Sequence, residues 1–489
     1  MKTLHTVLTE VKKPAGIAKL AIPMLIGCGL AMLMVLNSDA AIIAGIVICA
    51  IPAAIVAGKR INAWLLDNEY YSEKKFIGII IFIYPLLPLL WGIEVGSTLP
   101  VIRAHRLLMM IVILYLALNG IFLKSYADFF KSGTFTLPVA CIIFSMFITM
   151  LGSFNFFTSM FFLFSFVFES LILAVVVFTV FRERHDIDIL ISILCMSGYV
   201  LALLGIFEAI TEINVFSYFG VYRNLSSLTH QIREGEIRIY GSFDHAISFG
   251  TYFALLLPLY FYKFEKHPLK LYASIGLILG VIVATQSRAA QIGAGITILM
   301  YFLFINRKQI LLMMILLIPA ILANFGTLSY HMRTLNPFAP PNEVLQASTM
   351  ARTAQFDFLL HYIKKQLLIG YGMVDVPLMM RWIGNYANTI DNYYLLYTFY
   401  YGLIGLVTWL ILMIAVLVKP IIYFGKAIFD NHLMIMLLTA CIVFCVINYV
   451  VALWSFHFLF WIYVGIIARL LVNYKNEVMQ HRAHMTMSL

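Results

Sequence analysis

Five arginines and one carboxylate are the residues here whose type and spacing could do chemistry: Arg238, Arg288, Arg333, Arg352, Arg381 and Asp391. A guanidinium offers a planar fork of donors that matches the oxygens of a phosphate. A carboxylate placed where a polar loop meets an apolar run is partly desolvated, so its pKa can rise and it can accept the proton of a hydroxyl. Such a set would grip a phosphorylated substrate and deprotonate an acceptor.

The residues fall into four clusters. The first is Arg238–Ile239–Tyr240–Gly241–Ser242–Phe243–Asp244–His245, which puts a cation, a glycine turn, an acid and an imidazole just before an apolar run. Helix capping by Ser242 or Asp244 is the structural alternative there. The second is Thr285–Gln286–Ser287–Arg288, a sharp turn between two apolar runs. Arg288 has little loop to extend along, so it should point into a polar cavity or else touch a lipid headgroup. The third begins at Arg352, where Phe356, Leu359, Leu360, Ile363 and Leu367 recur at helical spacing opposite Gln355, His361, Lys364 and Lys365. That pattern describes a helix on a membrane surface or over a cavity, stopped by Gly370 and Gly372. The fourth is Asp391–Asn392 followed, after nine residues, by Gly402–Leu403–Ile404–Gly405. Asp391 could equally be the N-cap of the next helix, and the two glycines would let helices approach closely.

The elements that must position these clusters are membrane spans. The 489-residue chain is 62% hydrophobic and 11% charged, against about 25% charged in a soluble domain. Its apolar residues come in blocks of the length that crosses a bilayer as helix. Blocks run at Gly16–Leu36, Ala41–Ala57, Phe76–Ile93, Leu107–Leu123, Thr134–Leu151, Phe156–Phe181, Ile189–Ile210, Ile247–Tyr262, Pro268–Thr285, Ala289–Ile305, Ile310–Phe325, Tyr393–Val418, Leu433–Val451 and Phe456–Val472. The expected fold is therefore an all-α polytopic membrane protein of about fourteen transmembrane helices. Residues 1–210 form an N-terminal bundle of spans 1–7, and residues 211–489 form the region carrying the chemistry. Two long polar stretches, 211–244 and 327–388, belong to that second region, the larger lying between spans 11 and 12.

With the N-terminus in the cytoplasm, the inner loops collect most of the lysines, as the positive-inside rule requires. Both termini are then cytoplasmic and both long loops extracytoplasmic. The outer cations are nearly all arginine; only Lys364 and Lys365 are lysines. Lysine-rich inner loops explain the net charge of +10 without nucleic acid. Asp186–Ile187–Asp188 has the DxD spacing of nucleotide-sugar enzymes but lies in a tiny inner loop, and it is expected to be a solvated turn. Glu169 stands inside a span, where an ionisable group costs about 2.5–3.5 kcal/mol, so it should face the bundle interior and be paired. The six cysteines fall within apolar spans as small hydrophobes. Walker A, HExxH, GxSxG and dinucleotide fingerprints are absent, which leaves ATP hydrolysis and metalloprotease chemistry unsupported.

The four clusters in order resemble the O-antigen ligase-related family, which includes the Wzy-type polysaccharide polymerases and the O-antigen ligases. Arg238 with Gly241 and Phe243 resembles its R-x-x-G-x-F, and Ser287–Arg288 its S-R turn. Arg352 with Gly370-x-Gly372 resembles its R…G-x-G, and Asp391–Asn392 through Gly405 its H-N-x9-G-x-x-G. Asp391 replaces the ligases' histidine, and Ala246–Ile247 replaces the Pro-Asn that usually follows His245. Lys365–Gln366–Leu367–Leu368 lacks the usual proline. The missing histidine and the span count favour a polymerase.

What the resemblance implies is a GT-C-like membrane glycosyltransferase, inverting and metal-independent, with no cofactor. Its substrate would be an undecaprenyl-diphosphate-linked oligosaccharide reached from the lipid bilayer. A chain-length regulator and a flippase are further candidate partners. Arg238, Arg288 and Asp391 become the catalytic candidates. Arg352, Arg333, Arg381, His245, Tyr240 and Asn392 become candidates for holding diphosphate and glycan. A ligase acting on lipid A–core or protein is the alternative within the family, and a lipid-linked oligosaccharide flippase is the alternative outside it.

Overall fold

A computed structural model describes residues 72–89, 92–93, 102–219, 232–233, 236–306, 355–357, 359–374, 390 and 392–487. The described chain is helical apart from two two-residue ladders, Gly92–Ile93 with Ile102–Arg103 and Ile232–Arg233 with Glu236–Ile237. Among the described residues, five helices are long and apolar enough to cross a membrane, Phe156–Val180, Arg184–Thr211, Tyr393–Phe424, His432–Val450 and His457–Gln480. A sixth candidate is the bent pair Ala104–Leu118 and Phe122–Lys131. The chain is thus a multi-pass helical membrane protein. The expected spans Gly16–Leu36, Ala41–Ala57 and Ile310–Phe325 lie outside the described residues.

Helix ends follow the apolar blocks closely where no breaker intervenes. Pro268–Ala284, Arg288–Phe304 and His432–Val450 each lie within a residue or two of their expected bounds. Two expected spans are corrected. Leu107–Leu123 does not run straight: its helix stops at Leu118 and the chain bends by 93° into Phe122–Lys131. Asn119–Gly120 makes that turn, with Gly120 at φ 68°, a conformation glycine adopts without steric cost. Phe76–Ile93 shortens to Ser72–Ile83 and tightens into a 3-10 turn, Tyr84–Leu86, with a proline near its start.

The chain divides into two compact units. One holds residues 1–125, 176–253 and 276–286, the other 126–175, 254–275 and 287–489. In the first, Ser72–Ile83 packs on Arg184–Thr211 and on Ala104–Leu118. Asp186 is 2% exposed. It pairs with Lys74 Nζ at 2.7 Å and accepts the backbone N–H groups of Arg182 and Glu183. The expected solvated turn is therefore a buried, paired helix cap, because the carboxylate satisfies N–H groups that the first turn of a helix leaves orphaned.

In the second unit, Tyr393–Phe424 packs on Thr136–Leu151, His432–Val450 and His457–Met487, and Arg288–Phe304 packs on His432–Val450. A Cβ on Gly293 would stand 2.8 Å from Val443 Cγ1, so the absence of a side chain there sets how closely these two helices approach. Glu169 lies in a π-helical turn, Phe166–Leu171, half-buried, and accepts from Ser165 Oγ at 3.1 Å. Inserted residues of this kind recur at functional sites. Gly276, in the first unit, has open space where a Cβ would go. Gly276→Ala should therefore leave thermal stability unchanged or raise it by up to about 1 kcal/mol, measured by melting in detergent.

Candidate active site

In the first unit, the segment Arg238–His245 is pinned along its length. Gly241 sits at φ 54°, and a Cβ there would meet the Phe249 ring at 2.6 Å. The N–H of Gly241 donates to Glu208 Oε2 at 2.9 Å, and that of Tyr240 to Glu208 Oε1 at 3.2 Å. Asn214 Nδ2 donates to Glu208 Oε1 at 2.9 Å and to the Gly241 carbonyl at 3.0 Å. Ser242 Oγ donates to the Pro85 carbonyl at 2.6 Å, and the N–H of Leu89 donates to the Ser242 carbonyl at 2.8 Å. His245 Nδ1 accepts the N–H of Ile247 at 3.0 Å, so the imidazole caps the helix Ala246–Phe264. The capping expected of Ser242 or Asp244 falls to His245 instead, while Ser242 ties the loop to Pro85.

Arg238 is 9% exposed, and its Nε donates to the Thr285 carbonyl at 2.9 Å. Thr285 stands three residues before Arg288 in the chain, in a turn that reverses direction through Gln286 at φ 50°. The first arginine cluster is therefore anchored to the backbone of Thr285, within the first unit. Tyr240 is half-buried. Burial, and then the Glu208 carboxylate, push its phenol up to about 12, so it remains a hydrogen-bond donor at any working pH.

Arg288 and Asn392 belong to the second unit. Each stands at the start of a helix, Arg288–Phe304 and Tyr393–Phe424. Both helices begin beside the C-terminal half of His432–Val450. Gly293 faces Val443 and Ile447, and Tyr394 OH donates to the Cys445 carbonyl at 3.0 Å. Two helix N-termini, each with a partial positive charge, thus share one end of this unit. Asn392 Oδ1 accepts the N–H of Leu395 at 2.9 Å, so the N-cap is Asn392. Asp391, the alternative candidate for that task, is not needed for it. Asn392→Ala should lower stability by about 1 kcal/mol, read as a shift of the melting midpoint. Asp391, Arg333, Arg352 and Arg381 lie outside the described residues.

The glycine motifs have a joint role that their spacing did not suggest. The helix Tyr393–Phe424 is broken at Gly402, at φ 65° and ψ −171°. In an unbroken helix, Leu403 and Ile404 would donate to the carbonyls of Phe399 and Tyr400. Here Leu403 N donates to the Leu367 carbonyl at 2.8 Å and Ile404 N to that of Leu368 at 3.2 Å. The freed carbonyls of Phe399 and Tyr400 accept from Tyr371 N at 3.1 Å and Gly372 N at 2.9 Å. The segment 367–372 is thus spliced into the break. Gly402 makes the interruption, Gly405 leaves room for Tyr401, whose Cβ would stand 2.2 Å from a Cβ there, and close helix approach belongs to Gly293.

The same segment is held on its other side by the end of Thr136–Leu151 and the start of Phe156–Val180. Thr149 Oγ1 donates to the Ile369 carbonyl at 2.7 Å, and Met373 N donates to Ser159 Oγ at 2.9 Å. Tyr371 stacks on Phe154 and Phe399. Preceding it, residues 355–357 and 359–365 are helical. Gln355, Leu359 and Ile363 are buried, while Phe356 and Leu367 are exposed. The helix therefore buries a narrower stripe than the apolar positions suggest.

Residues 273–410 match the family model described as O-antigen ligase, Wzy_C. Over that stretch the chain is similar to the O-antigen ligase-related family, whose members are membrane glycosyltransferase-like enzymes comprising ligases and polymerases. The matched stretch contains Arg288, Arg352, both glycine pairs and Asp391, and it excludes Arg238–His245. No curated protein matches the chain.

Glu208 was missed by reading motifs. Its sequence signal is an ionisable residue inside an expected span, Ile189–Ile210, as Glu169 is inside Phe156–Phe181.

Proposed function

We propose that the protein is a polysaccharide polymerase. It joins undecaprenyl-diphosphate-linked repeat units by inverting glycosyl transfer at the outer face of the plasma membrane, with residues 211–489 as the catalytic region. The observation that carries this reading is the family match over 273–410, combined with the anchoring of Arg238 to the backbone of Thr285. That bond ties the upstream arginine loop to the backbone of Thr285, a residue of the matched stretch.

In this reading Arg238, Arg288 and Arg352 hold the diphosphate and stabilise the charge that builds on it as the bond from the anomeric carbon to the phosphate oxygen breaks. Asp391 accepts the proton of the acceptor hydroxyl as that oxygen attacks the anomeric carbon from the opposite face. Tyr240, His245, Asn392, Arg333 and Arg381 line the path of glycan and diphosphate. Asp391 in place of the ligases' histidine favours chain extension over transfer to lipid A–core.

The test is purified protein in liposomes supplied with one lipid-linked repeat unit. A ladder of longer lipid-linked products without any ion gradient is expected. Transfer only when lipid A–core or a protein acceptor is added would make the protein a ligase. Movement of the intact substrate across the bilayer without a new bond would make it a transporter. Arg238→Ala should lower kcat/KM about 100-fold or more, in the range seen when one donor to a developing anion is removed.

A further inference from the structure

We infer that Glu208 is a positioning residue for the transfer reaction, acting through the loop that carries Arg238, Tyr240 and His245. The inference rests on the polymerase reading above. Glu208 lies near the end of Arg184–Thr211 and is 4% exposed. A buried carboxylate is retained only where its charge is satisfied. Here it accepts two backbone N–H groups, from Tyr240 and Gly241, and one side-chain amide, from Asn214. None of the three donors is a cation, so this carboxylate orders loop backbone and does not neutralise a charge through these bonds.

Three features make the arrangement a device for holding geometry. Both N–H donors belong to adjacent peptide groups, which fixes the orientation of the backbone two residues beyond Arg238. Asn214 bridges Glu208 and the Gly241 carbonyl, while its own Oδ1 accepts from Phe216 N at 2.8 Å. Gly241 cannot relax toward Phe249, whose ring fills the space a Cβ would need. A loop held in this way presents its guanidinium and phenol without reorganisation when substrate arrives.

Glu208→Gln is the sharpest probe. The amide keeps the size and one acceptor oxygen but turns an NH2 donor toward an N–H donor, which releases at least one end of the loop. A misplacement of about 1 Å costs on the order of 100-fold in rate. In liposomes with the lipid-linked repeat unit, Glu208→Gln should therefore lower kcat by about 10-fold to 100-fold while its melting midpoint stays near that of the parent.

The cycle with Arg238→Lys separates positioning from general stability. If Glu208 acts through Arg238, the double variant should be no slower than Arg238→Lys alone, within about threefold, whereas independent sites multiply. Should Glu208→Gln fail to accumulate, Asn214→Ala removes the bridge from outside the span and should show the same non-additivity. Parent-like kcat in Glu208→Gln, or multiplicative losses in the cycle, would overturn the assignment. If the parent protein itself makes no product from lipid-linked substrate, the polymerase reading has failed, which is a distinct result.

Discussion

Replacing Asp391 by alanine is expected to abolish chain growth while the protein still inserts and folds. General-base assistance is typically worth 10²–10⁴-fold, so kcat should fall by about that range with little change in the affinity for lipid-linked substrate. The structural competitor for Asp391 is helix capping, and Asn392 does the capping through Leu395 N. The pair of single variants therefore separates the two tasks. Asn392→Ala should cost stability, whereas Asp391→Ala should cost rate at parent-like stability. Product ladders of normal length from Asp391→Ala would remove it from the mechanism. Asp391→Asn is a useful companion, since it keeps the shape but cannot accept the proton.

The largest expected effect on folding comes from Gly402→Ala. Its Cβ would lie 2.1 Å from the Leu368 carbonyl oxygen and 2.3 Å from its carbon. Those are backbone atoms that cannot swing away. The φ of 65° with ψ of −171° adds strain of about 1–3 kcal/mol for any residue with a side chain. Expelling the 367–372 segment instead would unmake four backbone bonds at once. Inside a bundle with no water to replace them, each unsatisfied group costs several kcal/mol. A loss beyond about 4 kcal/mol, a large share of the roughly 5–15 kcal/mol that typically holds a protein folded, should appear as failure to accumulate in the membrane. Gly370→Ala should behave alike, since its Cβ would meet Gly402 N and the Tyr400 carbonyl at 2.5 Å. Gly402→Ala protein that accumulates and melts like the parent would show that the break is not needed.

Hydropathy made the helices legible because a block of apolar residues with the right length has few other fates in a lipid-facing protein. His432–Val450 and Pro268–Ala284 were readable to within a residue for that reason. Asn119–Gly120 is a turn signal that the surrounding leucines outweighed, and the 93° bend there shows which should have prevailed. Gly402 was harder to read. Tyr393–Val418 is apolar without interruption, and a glycine at positive φ looks in sequence like one that admits a neighbouring helix. The arginine-bearing loop was recognisable by residue type. Its restraint by Glu208 was not, since that bond joins the end of a span to peptides thirty-odd residues downstream.

The splice at Gly402 also has a consequence for biogenesis. Its partner, residues 367–372, leaves the ribosome before Tyr393–Phe424 does. The strip of peptide groups that completes the interrupted span is therefore already made when that span meets the bilayer. Had the order been reversed, a nascent helix with two open rungs would have had to wait in hydrocarbon. Cutting the gene between codons 374 and 390 should accordingly yield a working pair only when the upstream half is present as the downstream half is inserted.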